Sequence, residues 1–379
     1  MNIAFYAPLK APSHPVPSGD REIARAFMSA FELGGNEVCV ASTFRSREGE
    51  GDRGRQQTIE ALGQRLARRA LRRIRTLPDT AKPHVWFTYH HYHKSPDFIG
   101  PTVATALNIP YVLAEASFAP KHSTGPWAQW NVLSRQIIAR ADGIVAMNSD
   151  DIAGLEPLLG DHQTLVRWPP FIDERRYASH NPDVRTRLAK EHALALDRPW
   201  LLCVAMMRPG RKADSFALLA RALRGIEDQP WCLLVAGDGE ARDEVQHAFR
   251  AFGAERVCFL GEQTPQSLPA LYGACDLFVW PALGEPLGLV FLEAQACGLP
   301  VVAGTGRGVG DLIEHERTGL LAPEGDVDAF ATNLRRLIGA PQTRAEMGGA
   351  AVEHIRRTHG LALAAKRLSE FLCSLAGRA

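Results

Sequence analysis

Residues 284–302 read GEPLGLVFLEAQACGLPVV. Two glutamates, Glu285 and Glu293, stand eight positions apart, with a glycine in an apolar run between them. The preceding DLFVWP (276–281) reads as a buried strand, and 282–287 as a loop. A helix is expected from Gly288 to Cys297, because Gly298 punctuates its end and Pro300 forbids continuation. PVVAG (300–304) is then the next strand. This strand–loop–helix–strand order is the unit of a parallel sheet. The helix start would offer the N–H groups of Leu287, Gly288, Leu289 and Val290 to an anion. Glycine at 288 lets a ligand come close to the backbone. Glu293 lies about two helical turns beyond Glu285, too far for the two to flank one scissile bond.

Working outward, the same grammar repeats. NIAFYA (2–7), EVCVAS (37–42), HVWFTY (84–89), PYVLAE (110–115) and GIVAMN (143–148) form one set of strand-like runs. WLLCVAM (200–206), CLLVAG (232–237), VCFLG (257–261), DLFVWP and PVVAG form a second. Helical patterns separate the runs, which predicts parallel sheets covered on both faces. The break falls at WPPFIDERRY (168–177), where prolines stop regular structure. The chain of 379 residues therefore reads as two doubly wound α/β domains, with a ligand expected in a cleft at the carboxyl ends of the strands. A net charge of +1 gives no argument for nucleic acid. Seven cysteines without a CxxC pair read as reduced, buried thiols. No run suits a signal peptide or a membrane span, so a cytoplasmic location is expected.

A long ligand fits the two glutamates best: hydroxyls at each end and phosphates between, as in a nucleotide-sugar. One solvated and one capping glutamate is the plainer reading of the same residues. The stretch resembles the E-x7-E signature of the family 4 retaining glycosyltransferases of the GT-B fold. Other segments fall in that family's order: PSGD (17–20), ADGIVAMNS (141–149), RPGRK (208–212), VAGDGE (235–240), FLGEQ (259–263) and TGLLAPEGD (318–326). The resemblance implies an acceptor-binding domain over 1–172, a donor-binding domain over 173–358, and a C-terminal helical segment, 359–379, packing back on the first. It implies that Arg208 and Lys212 clamp the diphosphate, with Arg211 as a substitute for either. Glu285 would touch the donor-sugar hydroxyls and Glu293 the ribose. Gly237, Gly261, Glu262 and Gln263 would lie at the nucleotide, and Gly19 near the donor phosphate. The family commonly shows two glycines at that last point, where this chain has Ser18-Gly19.

The first half departs further. Where the family often carries a histidine, this chain has Glu115, a candidate acceptor ligand or base. YHHYHK (89–94) supplies His90, His91 and His93 as a polar acceptor rim. Strand alternation would put His91 and His93 on one face, a metal pair without an evident third ligand. DVD (326–328) reads as a helix cap. Residues 45–75 hold ten arginines against four acids. In 61–77, Leu62, Leu66, Ala70, Ile74 and Leu77 make a helical stripe, either packed on the sheet beneath a solvated basic face or docked on anionic lipid at the inner membrane face. The resulting expectation is a retaining, metal-independent glycosyltransferase. It would use a nucleotide diphosphate sugar as co-substrate, UDP-linked ahead of GDP-linked, with no cofactor, no metal and no nucleic acid. An epimerase of the same architecture and a nucleotide-sugar binding protein without turnover are the alternatives.

Overall fold

The computed structural model describes residues 1–177, 182–285 and 287–377. Position 286 of the expected loop and positions 378–379 of the expected C-terminal segment lie outside the described residues. The chain forms two compact units. One comprises Met1–Phe171 and the C-terminal segment from Leu361; the other is Ile172–Gly360.

The first unit is built on six strands: β1 (Asn2–Tyr6), β2 (Glu37–Ser42), β3 (Val85–Tyr89), β4 (Tyr111–Ala114), β5 (Gly143–Ala146) and β6 (Thr164–Arg167). They pair in parallel in the order β2-β1-β3-β4-β5-β6. The second unit carries β7 (Trp200–Val204), β8 (Cys232–Ala236), β9 (Val257–Gly261), β10 (Leu277–Trp280), β11 (Val301–Gly304) and β12 (Gly319–Ala322). Its order is β12-β11-β10-β7-β8-β9, again all parallel. Both sheets are doubly wound. The central strands VWFTY, LFVW and VVAG are buried along their whole length, which is why they read as unbroken apolar runs. Chain direction reverses between β1 and β3 in the first sheet and between β7 and β10 in the second. At such switch points the connecting loops diverge to opposite faces and leave room for a ligand.

Two strands have no counterpart among the expected runs. TLVR of β6 is a half-exposed edge of four residues, and GLLA of β12 is as short. Thr164 and Arg167 leave the first only two consecutive apolar residues, and the second is a sheet edge between a glycine and a proline. Two of the seven thiols, Cys39 and Cys373, are exposed rather than buried, the first because β2 is also an edge.

The arginine-rich helix is longer than expected, Arg53–Arg75, with Asp52 capping the Arg55 amide at 2.9 Å. Its fully buried positions are Gln56, Gly63, Ala67 and Ile74; of the expected stripe, Ile74 is buried and Leu66 and Ala70 pack, partly buried, against the core. Gly63 sits so close to Phe98 that a side chain there would strike its ring, so small residues set the contact. Leu62 is consequently exposed. No helix among the described residues is long and apolar enough to cross a membrane.

The C-terminal helix Leu361–Ala376 belongs to the first unit and packs against the helix Gly19–Leu33. Its Phe371 and Leu375 fill the space over Gly143 at the start of β5, where a methyl group would meet both at 2.6 Å. Asn36 bonds Ser369 at 3.3 Å. Leu368 is fully buried in this contact face. Leu368→Ala is therefore expected to destabilise the first unit by about 2–5 kcal/mol, as core leucine truncations do. Denaturant unfolding measures it, and a loss near zero would mean that the helix does not stabilise this unit.

Candidate active site

The loops that follow β7 and β10 meet at the second sheet's switch point. After β7 the chain turns through Gly210, whose φ of 79° suits glycine, into the helix Arg211–Arg224. Lys212 therefore stands in that helix's first turn. Its ammonium makes an ion pair with Glu285, which comes from the loop after β10. The ammonium also lies 5.3 Å from the ring centre of Trp280, the buried last residue of β10. The Lys212 side chain is 34 % exposed and that of Glu285 15 %, so the pair is partly removed from water without being sealed.

Several contacts fix the loop that carries Glu285. Ser215 Oγ accepts the Leu283 amide at 3.1 Å and donates to the Arg211 carbonyl at 2.7 Å. The Gly284 amide donates to Glu324 at 2.8 Å. Gly284 has φ 61°, and a side chain on it would strike the Arg211 guanidinium. Ala282 is held at φ 58°, a strained conformation for a residue with a β-carbon. Arg208, expected beside Lys212, has an exposed side chain without a hydrogen-bond partner among the described residues. Arg211 lies nearer the Glu285 loop.

Beyond this loop comes the helix Leu289–Ala296, capped by Gly288 in the left-handed conformation at φ 56°. The amides of Leu289 and Val290 thus sit in its first turn, where an α-helix leaves N–H groups without internal acceptors. Leu287 is buried. Glu293 stands on the same helix, and Tyr272 donates to its Oε2 at 2.9 Å. Burial and the Glu293 charge push the Tyr272 and Tyr177 phenols up, so both stay protonated donors towards that carboxylate. The other expected donor-side residues also cluster at this sheet edge. Gly237 donates its amide to the Gly261 carbonyl at 2.8 Å. With φ of 144°, Gly237 lies so close to the Ala205 carbonyl that a side chain would collide with it. Glu262 is exposed, and Gln263 is engaged locally, donating to the Leu260 carbonyl and accepting from Ser267.

In the first unit, the sheet's carboxyl edge gathers a different set. His90 follows β3 and Glu115 follows β4; both adopt left-handed backbone, at φ 64° and 52°. Their amides still extend the parallel ladder, to Ala114 and Val145. His90 Nδ1 lies 3.1 Å from Asp20 and 3.4 Å from Glu115. Burial alone would lower the imidazole, but Glu115 and Asp20 override it and raise it to about 9. Burial pushes the Glu115 carboxyl up to about 7 against the pull of His90. Asp20 adjoins Gly19, which opens the helix Gly19–Leu33 behind the capping Ser18.

The histidine run is not part of a strand. β3 ends at Tyr89, so strand alternation does not apply beyond it, and His91 and His93 do not form a pair on one face. His91 is fully buried and is pushed down to about 3 by that burial; its Nδ1 accepts the Asp97 amide at 3.1 Å. It supports the loop and does not line an acceptor rim. His93 stacks on His122 at 3.9 Å between ring centres. No group of three His, Cys, Asp or Glu among the described residues is placed to hold a metal. The DVD segment does cap a helix: Asp326 accepts the Ala329 amide at 2.9 Å.

Residues 198–340 match the family described as Glycosyl transferases group 1. That segment contains Arg208, Lys212, Glu285, Glu293 and Glu324. A GDP-mannose-dependent alpha-(1-6)-phosphatidylinositol monomannoside mannosyltransferase of Mycolicibacterium smegmatis is 33 % identical over 201 residues, covering 50 % of this chain and 51 % of that protein. A D-inositol 3-phosphate glycosyltransferase of Actinosynnema mirum is 31 % identical over 269 residues, covering 68 % and 63 %. The chain thus spans between half and two thirds of the length of these relatives. Among solved structures, a sucrose-phosphate synthase of Thermosynechococcus elongatus superposes with a TM-score of 0.75 over 100 % of both chains at 19 % identity. That likeness shows the fold: two Rossmann-like units of the GT-B kind.

Sequence reading missed four site residues within the group 1 segment or beside it. Ser215 and Glu324 hold the Glu285 loop, while Tyr272 and Tyr177 face Glu293. Glu324 lies in TGLLAPEGD, and Tyr177 ends WPPFIDERRY, which signalled only the break between the units. Asp20 was likewise visible in PSGD without a role.

Two outcomes follow from this geometry. The raised His90 stabilises the fold fully below its ordinary value of 6.5, and that contribution is lost as pH rises through about 9. The melting temperature of the wild type should therefore fall more steeply across that window than that of His90→Asn, which tolerates the left-handed backbone. Parallel curves would contradict the ion pairing. Separately, Tyr272→Phe removes a donor to Glu293 and should cost about 1–3 kcal/mol of stability, since a buried charged acceptor loses a bond. An unchanged denaturation midpoint would place Glu293 elsewhere.

Proposed function

We propose that this chain is a glycosyltransferase that moves a hexose from a nucleotide diphosphate sugar to an acceptor hydroxyl. The observation that carries the reading is the Lys212–Glu285 pair at the switch point of the second sheet, with Glu293 on the helix that follows. A nucleotide diphosphate sugar offers each member a replacement partner. Phosphate oxygens suit the Lys212 ammonium, and sugar hydroxyls suit the Glu285 carboxylate. Arg208, Arg211 and the amides of the helix Leu289–Ala296 add positive potential for the leaving diphosphate. Glu293, oriented by Tyr272, takes the ribose hydroxyls.

The names of the mannosyltransferase relatives favour GDP-mannose as the first donor to test, ahead of the UDP-sugars expected from the sequence. The names of the mannosyltransferase and of the D-inositol 3-phosphate glycosyltransferase suggest an inositol phospholipid or an inositol phosphate as acceptor. Lysine and arginine can neutralise the diphosphate without a metal, and Glu285 and Glu293 are spaced too widely to serve as the two carboxylates of a covalent relay. We therefore assign a metal-independent, retaining transfer in which the donor phosphate accepts the acceptor's proton. The first unit then binds the acceptor, with Glu115, His90 and Asp20 facing its hydroxyls. Arg65, Arg68, Arg69, Arg72, Arg73 and Arg75 are exposed on one helix without an ion pair among the described residues, which favours peripheral contact with an anionic membrane surface. The intact Lys212, Glu285 and Glu293 set favours turnover over a binding protein, and an epimerase would need no acceptor surface.

Lys212→Ala is expected to lower turnover with GDP-mannose on the order of 10²-fold or more, because the charge developing on the leaving diphosphate loses its nearest cation. Glu293→Ala should instead raise the donor KM. Steady-state kinetics with and without a chelator separate these effects. A near-normal rate in Lys212→Ala removes that residue from the chemistry, and a rate abolished by the chelator ends the metal-independent assignment.

A further inference from the structure

A second polar cluster lies beside His90 in the first unit, and the proposed chemistry leaves it unused. Two segments build it: the turn after β3, with His93 and Lys94, and the turn after β4, with Lys121 and His122. The His93 and His122 rings stack at 3.9 Å and 25°. Trp127 meets His93 edge-on at 6.0 Å between ring centres. The Lys94 ammonium stands 4.1 Å from the centre of the Trp127 ring, which fixes its position.

The electrostatics of this cluster are one-sided. Burial, then His122, Lys94 and Lys121, push His93 down to about 4. Burial, then the same two lysines, lower His122. The charged neighbours that act on the two imidazoles, Lys94 and Lys121, are positive. Neither lysine has an ion pair among the described residues. His93 is only 9 % exposed, yet its Nε2 has no hydrogen-bond partner. With both imidazoles lowered, the cluster's charge at neutral pH is that of Lys94 and Lys121, and a bound anion would turn their mutual repulsion into attraction. Ring contacts link the cluster to the acidic set: His93 to Tyr92 at 5.4 Å, and Tyr92 to His90 at 5.2 Å.

We propose that His93, Lys94, Lys121 and His122 form an anion subsite that holds the phosphate of the acceptor, while the acceptor's hydroxyls face His90, Glu115 and Asp20. This deepens the reading of the first unit as the acceptor side and rests on it. The ligand class is a phosphorylated polyol, either free or as a phospholipid headgroup. Its phosphate would accept hydrogen bonds from both ammonium groups and from imidazole N–H groups, drawing a proton onto His122.

The test uses the full chain and observes the imidazole resonances of His93 and His122 by NMR during titration with inorganic phosphate, then with glycerol 3-phosphate. Co-sedimentation with phosphatidylglycerol vesicles, against phosphatidylcholine vesicles, forms the second arm. The expected result is a saturable shift of both resonances with a rise in the His122 titration midpoint, weakened at least about tenfold in the double variant Lys94→Ala/Lys121→Ala, since charge-assisted bonds are lost. Glycerol 3-phosphate acting in this way assigns a soluble ligand. Vesicle binding that falls in the double variant, without such shifts, assigns a lipid headgroup. Neither response, or responses equal in the wild type and the double variant, overturns the subsite. His122→Gln serves as a second probe if the double variant misfolds. Nucleotide diphosphate binding, followed in the same samples, reports on the donor reading separately, because Lys212 and Glu285 are untouched.

Discussion

The ion pair between Lys212 and Glu285 is the constraint around which the second unit's edge is arranged. A partly buried pair of this kind adds little net stability, because desolvation offsets the attraction. It nevertheless has extensive support. Ser215, Glu324 and Trp280 all fix the loop or the ammonium, and Ala282 accepts a strained backbone at the turn. Support of that extent around an interaction of small net value points to positioning rather than stability. Removing either member leaves the other as an uncompensated charge, so the two residues function as one unit.

The same topology yields a different electrostatic surface in the first unit. There the helix after β1 carries Asp20 and the loop after β3 carries His90, and Glu115 joins them from the end of the neighbouring strand. His90 and Glu115 occupy left-handed backbone while still extending the ladder, so each side chain is turned out at the strand end where a regular strand residue would continue along the sheet. His91, next in the chain, is spent on the core. His93 and Lys94, which meet His122 and Lys121 of a later turn, follow within three residues. A short segment thus divides between acid-facing, structural and anion-facing roles. This pattern suits recognition of an acceptor carrying both hydroxyls and a negative group.

Much of the fold was legible because buried parallel strands have to be continuous apolar runs. Ten such runs mark ten of the strands, and the helix around Glu293 declared its end through Gly298 and Pro300. β6 and β12 were not legible: both lie at sheet edges, where few consecutive apolar residues are needed. The Glu285–Glu293 spacing signalled the donor side, but it could not show that Glu285 pairs with Lys212, a contact across 73 positions of chain. It was equally silent on Tyr272, since a buried phenol reads like any other core aromatic. In the histidine run, alternation failed because β3 stops one residue before His90, and a left-handed residue resets the direction of every side chain after it. In the arginine-rich helix the stripe was partly legible: Ile74 is buried and Leu66 and Ala70 pack on the core, while Gly63 and Ala67 make the closest approach.

The most direct test of the central claim is calorimetric titration of GDP and of guanosine into the wild type and into Lys212→Ala, without added metal. If Lys212 is the diphosphate's cation, GDP binds the wild type more tightly than guanosine does, and most of that advantage disappears in the variant while guanosine affinity stays the same. An undiminished advantage of GDP in Lys212→Ala would contradict the account.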